Sequence, residues 1–218
     1  KIIKKIYPNA KIILDACHSI GKKILKKDLS FLADIVIHSF YATKIITSGH
    51  GGLIWSKNKK YISLCKNYIN FDQRKNYIKR FNFLMSDVQA EILYQQLKCL
   101  DKFRVFRKNI FCNYQNSLHN DIKIFSHYNF DNDIIYRSIL IFKNNFIRNK
   151  FIKHMKKNNI ECIIPIENFE LLHNYLKINK KHFVNSEKVS STSASLPMHH
   201  NLSKKDIYRI CNSIKSFK

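Results

Sequence analysis

The sequence predicts a mixed α/β fold in two lobes, and three features predict it. Short apolar runs of strand length alternate with segments whose apolar residues recur every three or four positions. One helical stretch, from residue 86 to about residue 116, is long enough to link two lobes. The third feature is what the composition excludes. With 45% apolar residues, 13% aromatics, only 4 Gly and only 3 Pro, collagen-like, low-complexity and disordered chains are ruled out. At 218 residues the chain can bury a real core, as one large domain or two small ones.

In chain order, residues 11–14 (KIIL), closed by Asp15, read as a short buried parallel strand. Residues 34–40 (DIVIHSF) form a second strand and residues 52–56 (GLIWS) a third, followed by a helix over 59–69. In the long helical stretch Ser86 caps the N-terminus, with Gln89 completing a capping box. Val88, Ile92, Leu93, Leu97 and Leu100 then repeat at helical spacing. Beyond it, residues 122–125, 134–142 and 160–166 read as strands. Residues 145–158 read as an amphipathic helix with Phe146, Ile147, Phe151, Ile152 and Met155 inward. Residues 203–217 close the chain as a helix whose capping box is Ser203 with Asp206. The expected domains are residues 1–104 and 105–218.

The formal charge of +24 invites a nucleic-acid partner. Three observations argue for compositional bias instead. Lys (32), Ile (33) and Asn (23) rise together, only 7 of the 39 basic residues are Arg, and the basic residues are scattered over nearly every segment. No specific nucleic-acid partner is expected. The six cysteines stand far apart without a CxxC pair, which argues for reduced, buried thiols and against a metal site. No apolar run is long enough for a membrane span, and none is expected. The opening segment KIIKKIYPNAKIILD lacks a signal-peptide pattern and reads as the interior of a longer chain, with a cytoplasmic location expected.

Three of the four glycines, Gly49, Gly51 and Gly52, fall within four consecutive positions. A plain turn explains such a cluster, and so does a loop whose backbone must approach a ligand. The surroundings favour the ligand. The cluster closes a strand-end loop carrying Ser39, Tyr41, Thr43, Lys44, Thr47 and Ser48, and another strand ends in Asp15 with His18 three residues on. Strand ends are where open α/β sheets bind ligands. An acid at one end and a lysine at another suit an imine-forming cofactor: the amine attacks a carbonyl, and a carboxylate serves the pyridine nitrogen of a group such as pyridoxal phosphate.

These residues carry a resemblance. ILDACHSIG followed by SFYATKIITSGHGG resembles the DegT/DnrJ-type sugar aminotransferases, fold-type-I pyridoxal-phosphate enzymes. RFNFLMSDVQAEILYQQL resembles the family's asparagine-containing segment and the helix after it. IPIENFELLHNYL, with His173 and Tyr175, is similar to a Pro-Leu-His stretch of some members, and SLPMHHNLSKKDI to the C-terminal Leu-Pro turn. The resemblance implies a partial large-domain sheet, lacking its N-terminal part, and a small C-terminal α/β domain. It implies that Lys44 holds pyridoxal 5'-phosphate covalently and shuttles the proton, that Asp15 pairs with the pyridinium nitrogen, and that His18 contacts the ring. Ser39 would donate to the phosphate. Asn82 would reach the phosphate of the neighbouring subunit's cofactor, which implies a homodimer with shared sites.

The implied reaction is a ping-pong transamination through the pyridoxamine form, from an amino-acid donor, expected to be glutamate, to a keto group on a nucleotide-linked sugar of polysaccharide biosynthesis. Related dehydratases carry histidine in place of Lys44, which favours a transaminase. The chain departs from the pattern at His50, where Glu is usual, and at Leu84, where Arg is common. The alternative is a truncated, non-catalytic remnant or partner of such an enzyme.

Overall fold

The computed structural model describes residues 2–24, 27–28, 31–119, 121–126 and 133–217. Its contacts divide into two compact units, Lys1–Arg104 with Asn129–Tyr136, and Val105–Tyr128 with Arg137–Lys218.

In the first unit a short helix, α1 (Ile2–Ile6), precedes β1 (Ile13–Asp15), a two-stranded antiparallel ribbon β2 (Lys23–Ile24) and β3 (Lys27–Asp28), β4 (Ile35–Ser39) and β5 (Gly52–Trp55). The main sheet has the order β1-β4-β5, with β1 parallel and β5 antiparallel to β4. Helix α2 (Lys59–Ile69) covers the segment expected from periodicity, and Asn58 caps it by accepting from the Lys60 N–H. Ala16 and Val36 are buried with Leu14, Ala33 and Trp55 beside them. Phe40, Ile46 and Leu93 form a second cluster with Ile20, Met85, Leu100 and Phe103. Strand β1 starts later than its apolar run suggests and is not buried, since Ile13 remains 61% exposed. A continuous apolar run specifies extended chain, but burial depends on what packs against it.

The long helical stretch is two helices, α3 (Asp87–Lys98) and α4 (Leu100–Gln115). The capping box of Ser86 and Gln89 forms as expected. The interruption is at Cys99, whose N–H turns to the Gln96 and Leu97 carbonyls. Leu100, just past it, packs so close to Gly21 that a Cβ there would press on its side chain at 2.8 Å.

In the second unit β6 (Lys123–Ile124), β7 (Ser138–Ile141) and β8 (Ser193–Leu196) make an antiparallel sheet in that order. Helix α5 (Asn145–Lys157), two shorter helices α6 (Leu172–Tyr175) and α7 (Val184–Thr192), and α8 (Lys204–Lys215) complete it. Ile110, Tyr114, Leu140, Phe151, Met155, Ile210 and Ile214 make one closed core. The Tyr114 hydroxyl donates to Pro197 O at 2.9 Å, satisfying its one buried polar atom.

Several expectations need correction here. Phe146 is exposed because it lies five residues from Phe151, on the far side of α5. Residues 134–137 are not strand, and Ile134–Tyr136 belong to the first unit. Residues 160–166 make one isolated bridge, Ile163 to Ser195, because Pro165 has no N–H to continue a ladder. Strand β8 was not foreseen. Of the six free cysteines only Cys211 is buried, although Cys162 is sufficiently enclosed to have its pKa pushed up to about 12.

At the start of α8, Ser203 Oγ accepts from the Asp206 N–H and the Asp206 carboxylate accepts from the Ser203 N–H. Ser203→Ala is expected to lower stability by about 1 kcal/mol. The measurement is the urea midpoint of the second unit's near-ultraviolet signal; an unchanged midpoint contradicts the capping role.

Candidate functional site

Parallel pairing puts the C-terminal ends of β1 and β4 side by side, with Asp15 level with Ile37 and Ser39 two residues further on. The turn after β1 is tied to this edge twice. Ala16 N–H donates to Ile37 O at 2.8 Å, and His38 Nδ1–H donates to Ala16 O at 3.1 Å. Burial lowers the His38 pKa, keeping the ring neutral in that role.

The loop after β4 is closed on itself. Phe40 N–H donates to Gly51 O at 2.9 Å and Ser48 N–H to Phe40 O at 3.1 Å. Thr47 Oγ1 donates to Phe40 O and accepts from Gly49 N–H, while Thr47 N–H donates to Gln96 Oε1 at 2.9 Å. Ile45 and Ile46 are fully buried, so Lys44 leaves an anchored backbone. Gly49 (φ 79°) and Gly51 (φ 136°) hold backbone conformations that side chains disfavour, and a Cβ on Gly51 would also collide with Met85.

Lys44 Nζ and His18 Nε2 meet at 2.8 Å. Among the described residues no carboxylate bonds to Lys44. The His18 ring lies flat against Tyr136, with centroids 3.8 Å apart and planes 14° apart. Tyr136 Oη donates to Thr43 O at 3.4 Å, and Lys44 Nζ lies 5.5 Å from the Tyr136 centroid. Asp15 Oδ1 accepts from the Cys17 N–H at 3.0 Å. Hydrogen bonds from the Cys17 side chain and backbone hold the Asp15 carboxyl below the usual carboxylate range, with smaller help from His18 and Lys44. Ser39 Oγ accepts a long bond, 3.4 Å, from Tyr41 N–H. His50 sits at the rim, its ring 5.6 Å from that of Tyr41.

The profile of the DegT/DnrJ/EryC1/StrS aminotransferase family matches residues 5–215. The chain belongs to that family. An uncharacterized protein of Methanocaldococcus jannaschii is 27% identical over 94% of this chain and 59% of its own length. The dTDP-4-amino-4,6-dideoxy-D-glucose transaminase of Shigella dysenteriae is 28% identical over 96% of this chain and 60% of its own. The PLP form of a putative sugar aminotransferase from Streptococcus pneumoniae superposes with a TM-score of 0.81, at 18% identity, over 98% of this chain and 59% of that one. The fold-type-I architecture expected from the sequence is therefore the fold of this chain. It spans about 60% of the length of each of these relatives.

Of the residues singled out in the sequence of this family member, His18 and Lys44 are in contact, and Asp15 and Ser39 end adjacent strands beside them. Asn82 is exposed in the extended stretch before α3, and the described contacts do not bring it to this cluster. Tyr136 was missed. It stands 93 residues beyond Thr43, inside a run that reads as plain strand, so spacing gives no signal for it. His38 and Gln96 were missed for a related reason, since each looks like an ordinary element residue.

No group of three His, Cys, Asp or Glu among the described residues is placed to hold a metal ion. No helix among them is long and apolar enough to cross a membrane.

Since its folded pKa is depressed, the stabilisation that ionised Asp15 contributes is present above its unfolded pKa and lost as pH falls through the folded value. Carboxyl carbon NMR titration is expected to place Asp15 below the usual carboxylate range. Cys17→Ala should move it back up; an unmoved midpoint would mean that the Cys17 side chain is not the cause.

Proposed function

We propose that this chain carries the lysine-bearing part of a pyridoxal-phosphate aminotransferase that aminates a keto group on a nucleotide-linked sugar. The observation that carries this reading is Lys44 Nζ resting on an imidazole, not on a carboxylate, beside an ionised aspartate at paired strand ends. A lysine locked to a carboxylate keeps its charge, whereas one held by a neutral acceptor can release a proton and attack a carbonyl. The donor set suits the cofactor: an anionic oxygen for a ring nitrogen, an amine for a carbonyl, and a hydroxyl with a glycine-lined turn for a phosphate.

When bound, pyridoxal phosphate supplies a carbonyl for the lysine and an electron-withdrawing ring that eases proton loss from the substrate carbon. In this reading Lys44 holds the cofactor and moves the proton. Asp15 keeps the ring nitrogen protonated, His18 borders the ring, and the Ser39 hydroxyl, lightly engaged by Tyr41, donates to the phosphate. Asn82 serves the site of a neighbouring subunit in a homodimer. Its own exposure, with exposed Phe83, Leu84 and Val88 around it, supports that assignment. The transaminase relative from Shigella supports a nucleotide-linked sugar as acceptor, and glutamate is the proposed donor in a ping-pong cycle in the cytoplasm. The first unit is the cofactor-bearing domain and the second the small C-terminal domain.

The chain, given one equivalent of pyridoxal phosphate and then borohydride, is expected to carry the reduced adduct on Lys44 ahead of all other lysines by peptide mass spectrometry. Asp15→Asn should lower that yield about tenfold, equivalent to roughly 1.4 kcal/mol of lost cofactor affinity. Label spread evenly over the lysines would favour the non-catalytic remnant.

A further inference from the structure

The sequence points to His18 and Lys44 but is silent on what fixes the imidazole. An exposed histidine in a turn has several rotamers, and a 2.8 Å contact with a lysine amine survives only if the ring is held. The holding element is the strap of residues 133–136, which belongs to the first unit. Asp133 pairs with Lys22 at 2.7 Å, just past the turn that carries His18. Ile134 and Ile135 are buried and fix the strap's backbone. Tyr136 then lays its ring face to face on His18, while its hydroxyl reaches the carbonyl of Thr43, the residue before Lys44. One side chain thus touches both partners of the His18–Lys44 pair.

We propose that Tyr136 is a positioning residue that clamps His18 with Nε2 on the Lys44 amine. The clamp fixes a proton arrangement. A lysine ammonium has only donors, so Nε2 accepts and the neutral ring carries its proton on Nδ1. Free histidine prefers the opposite tautomer. The stack therefore selects a ring orientation in which the Nε2 lone pair, not an N–H, faces the amine. The stack, with centroids 3.8 Å apart, is the direct contact with His18, and the Tyr136–Thr43 bond is long at 3.4 Å. The relevance of this arrangement to catalysis rests on Lys44 being the carbonyl-binding amine; the arrangement itself does not.

The test has two readouts on the 218-residue chain. Long-range 1H–15N NMR of the imidazoles reports the His18 tautomer without any cofactor. The Nδ1–H form is expected in the parent chain and in Tyr136→Phe, which keeps the stack, and a shift to Nε2–H in Lys44→Met and in Tyr136→Leu, which keeps bulk without a ring face. The second readout is the rate at which Lys44 captures pyridoxal phosphate under a borohydride pulse. It should fall roughly ten- to a hundredfold in Tyr136→Leu and stay near the parent rate in Tyr136→Phe. Tyr136→Leu that keeps both tautomer and capture rate overturns the proposal, as does Tyr136→Phe that loses both. Failure of the parent chain to capture the cofactor on Lys44 sinks the aminotransferase reading alone, since the tautomer comparison still decides the clamp.

Discussion

Three parallel residue pairs between β1 and β4, with the bonds made by Ala16, are the constraint on which the candidate site depends. The parallel direction matters because it brings two C-terminal strand ends to one edge, under 5 Å apart in the hydrogen-bonding direction, at ~4.8 Å. An antiparallel pair would send Asp15 and Ser39 to opposite edges. Ala16 makes the last ladder bond, its N–H to Ile37 O, while its carbonyl is taken by the His38 ring. Asp15 consequently ends a paired strand, and His18 projects from the turn that Ala16 pins. Ala16 is almost fully buried, so a larger residue there would have to displace Val36 or its neighbours.

Local chemistry made much of this legible in advance. Caps formed by Asn58, Ser86 and Ser203 act within three residues of themselves, so their helices start where the sequence indicates. The run from Ile35 to Ser39 is strand because three consecutive β-branched residues are bounded by polar ones, and the glycine cluster closes the loop that follows. Features set by distant partners were not legible. Residues 134–137 have strand composition, yet Tyr136 is engaged by His18 and Thr43 instead of by a ladder. Residues 160–166 have the composition of a strand and pair through one isolated bridge, Ile163 to Ser195. The break at Cys99 turns on a change of hydrogen-bond partner that no side-chain pattern encodes.

The second unit handles buried polarity differently. His173 is nearly sealed, stacked on Phe183 at 4.5 Å, and its Nε2 meets Glu187 at 2.7 Å. That carboxyl is held below its usual range by hydrogen bonds from His173 and then Asn168, so the pair ties the irregular 160–183 region to α7. Arg148 is buried beside β8, where Nη1 donates a long bond to Ser193 O; burial lowers its pKa against the pull of Glu167. These are polar groups used as fasteners in a segment that has no ladder and leaves many of its apolar side chains exposed. The first unit instead leaves its polar groups at an edge, accessible and aimed at one another, which is the disposition chemistry requires.

Glycine usage separates structural demand from compositional habit. The chain places Gln73, Asn159 and Lys177 at positive φ, accepting strain of about 1 kcal/mol or more at each. It therefore does not reserve glycine for every left-handed position. In the loop beyond Lys44 the demand is of two kinds. Gly51 is fixed by packing as well as by its backbone angle, because a side chain there would meet Met85 in the second apolar cluster. Gly49 has nothing within 4 Å of where a Cβ would stand, so its demand is backbone angle alone, and its N–H is held by Thr47. A substitution at Gly51 would strain the backbone and force the Met85 side chain to move. A substitution at Gly49 would strain only the turn. The charge of +24 sets the background of this surface, but its one distinctive lysine leaves a backbone anchored by two buried isoleucines.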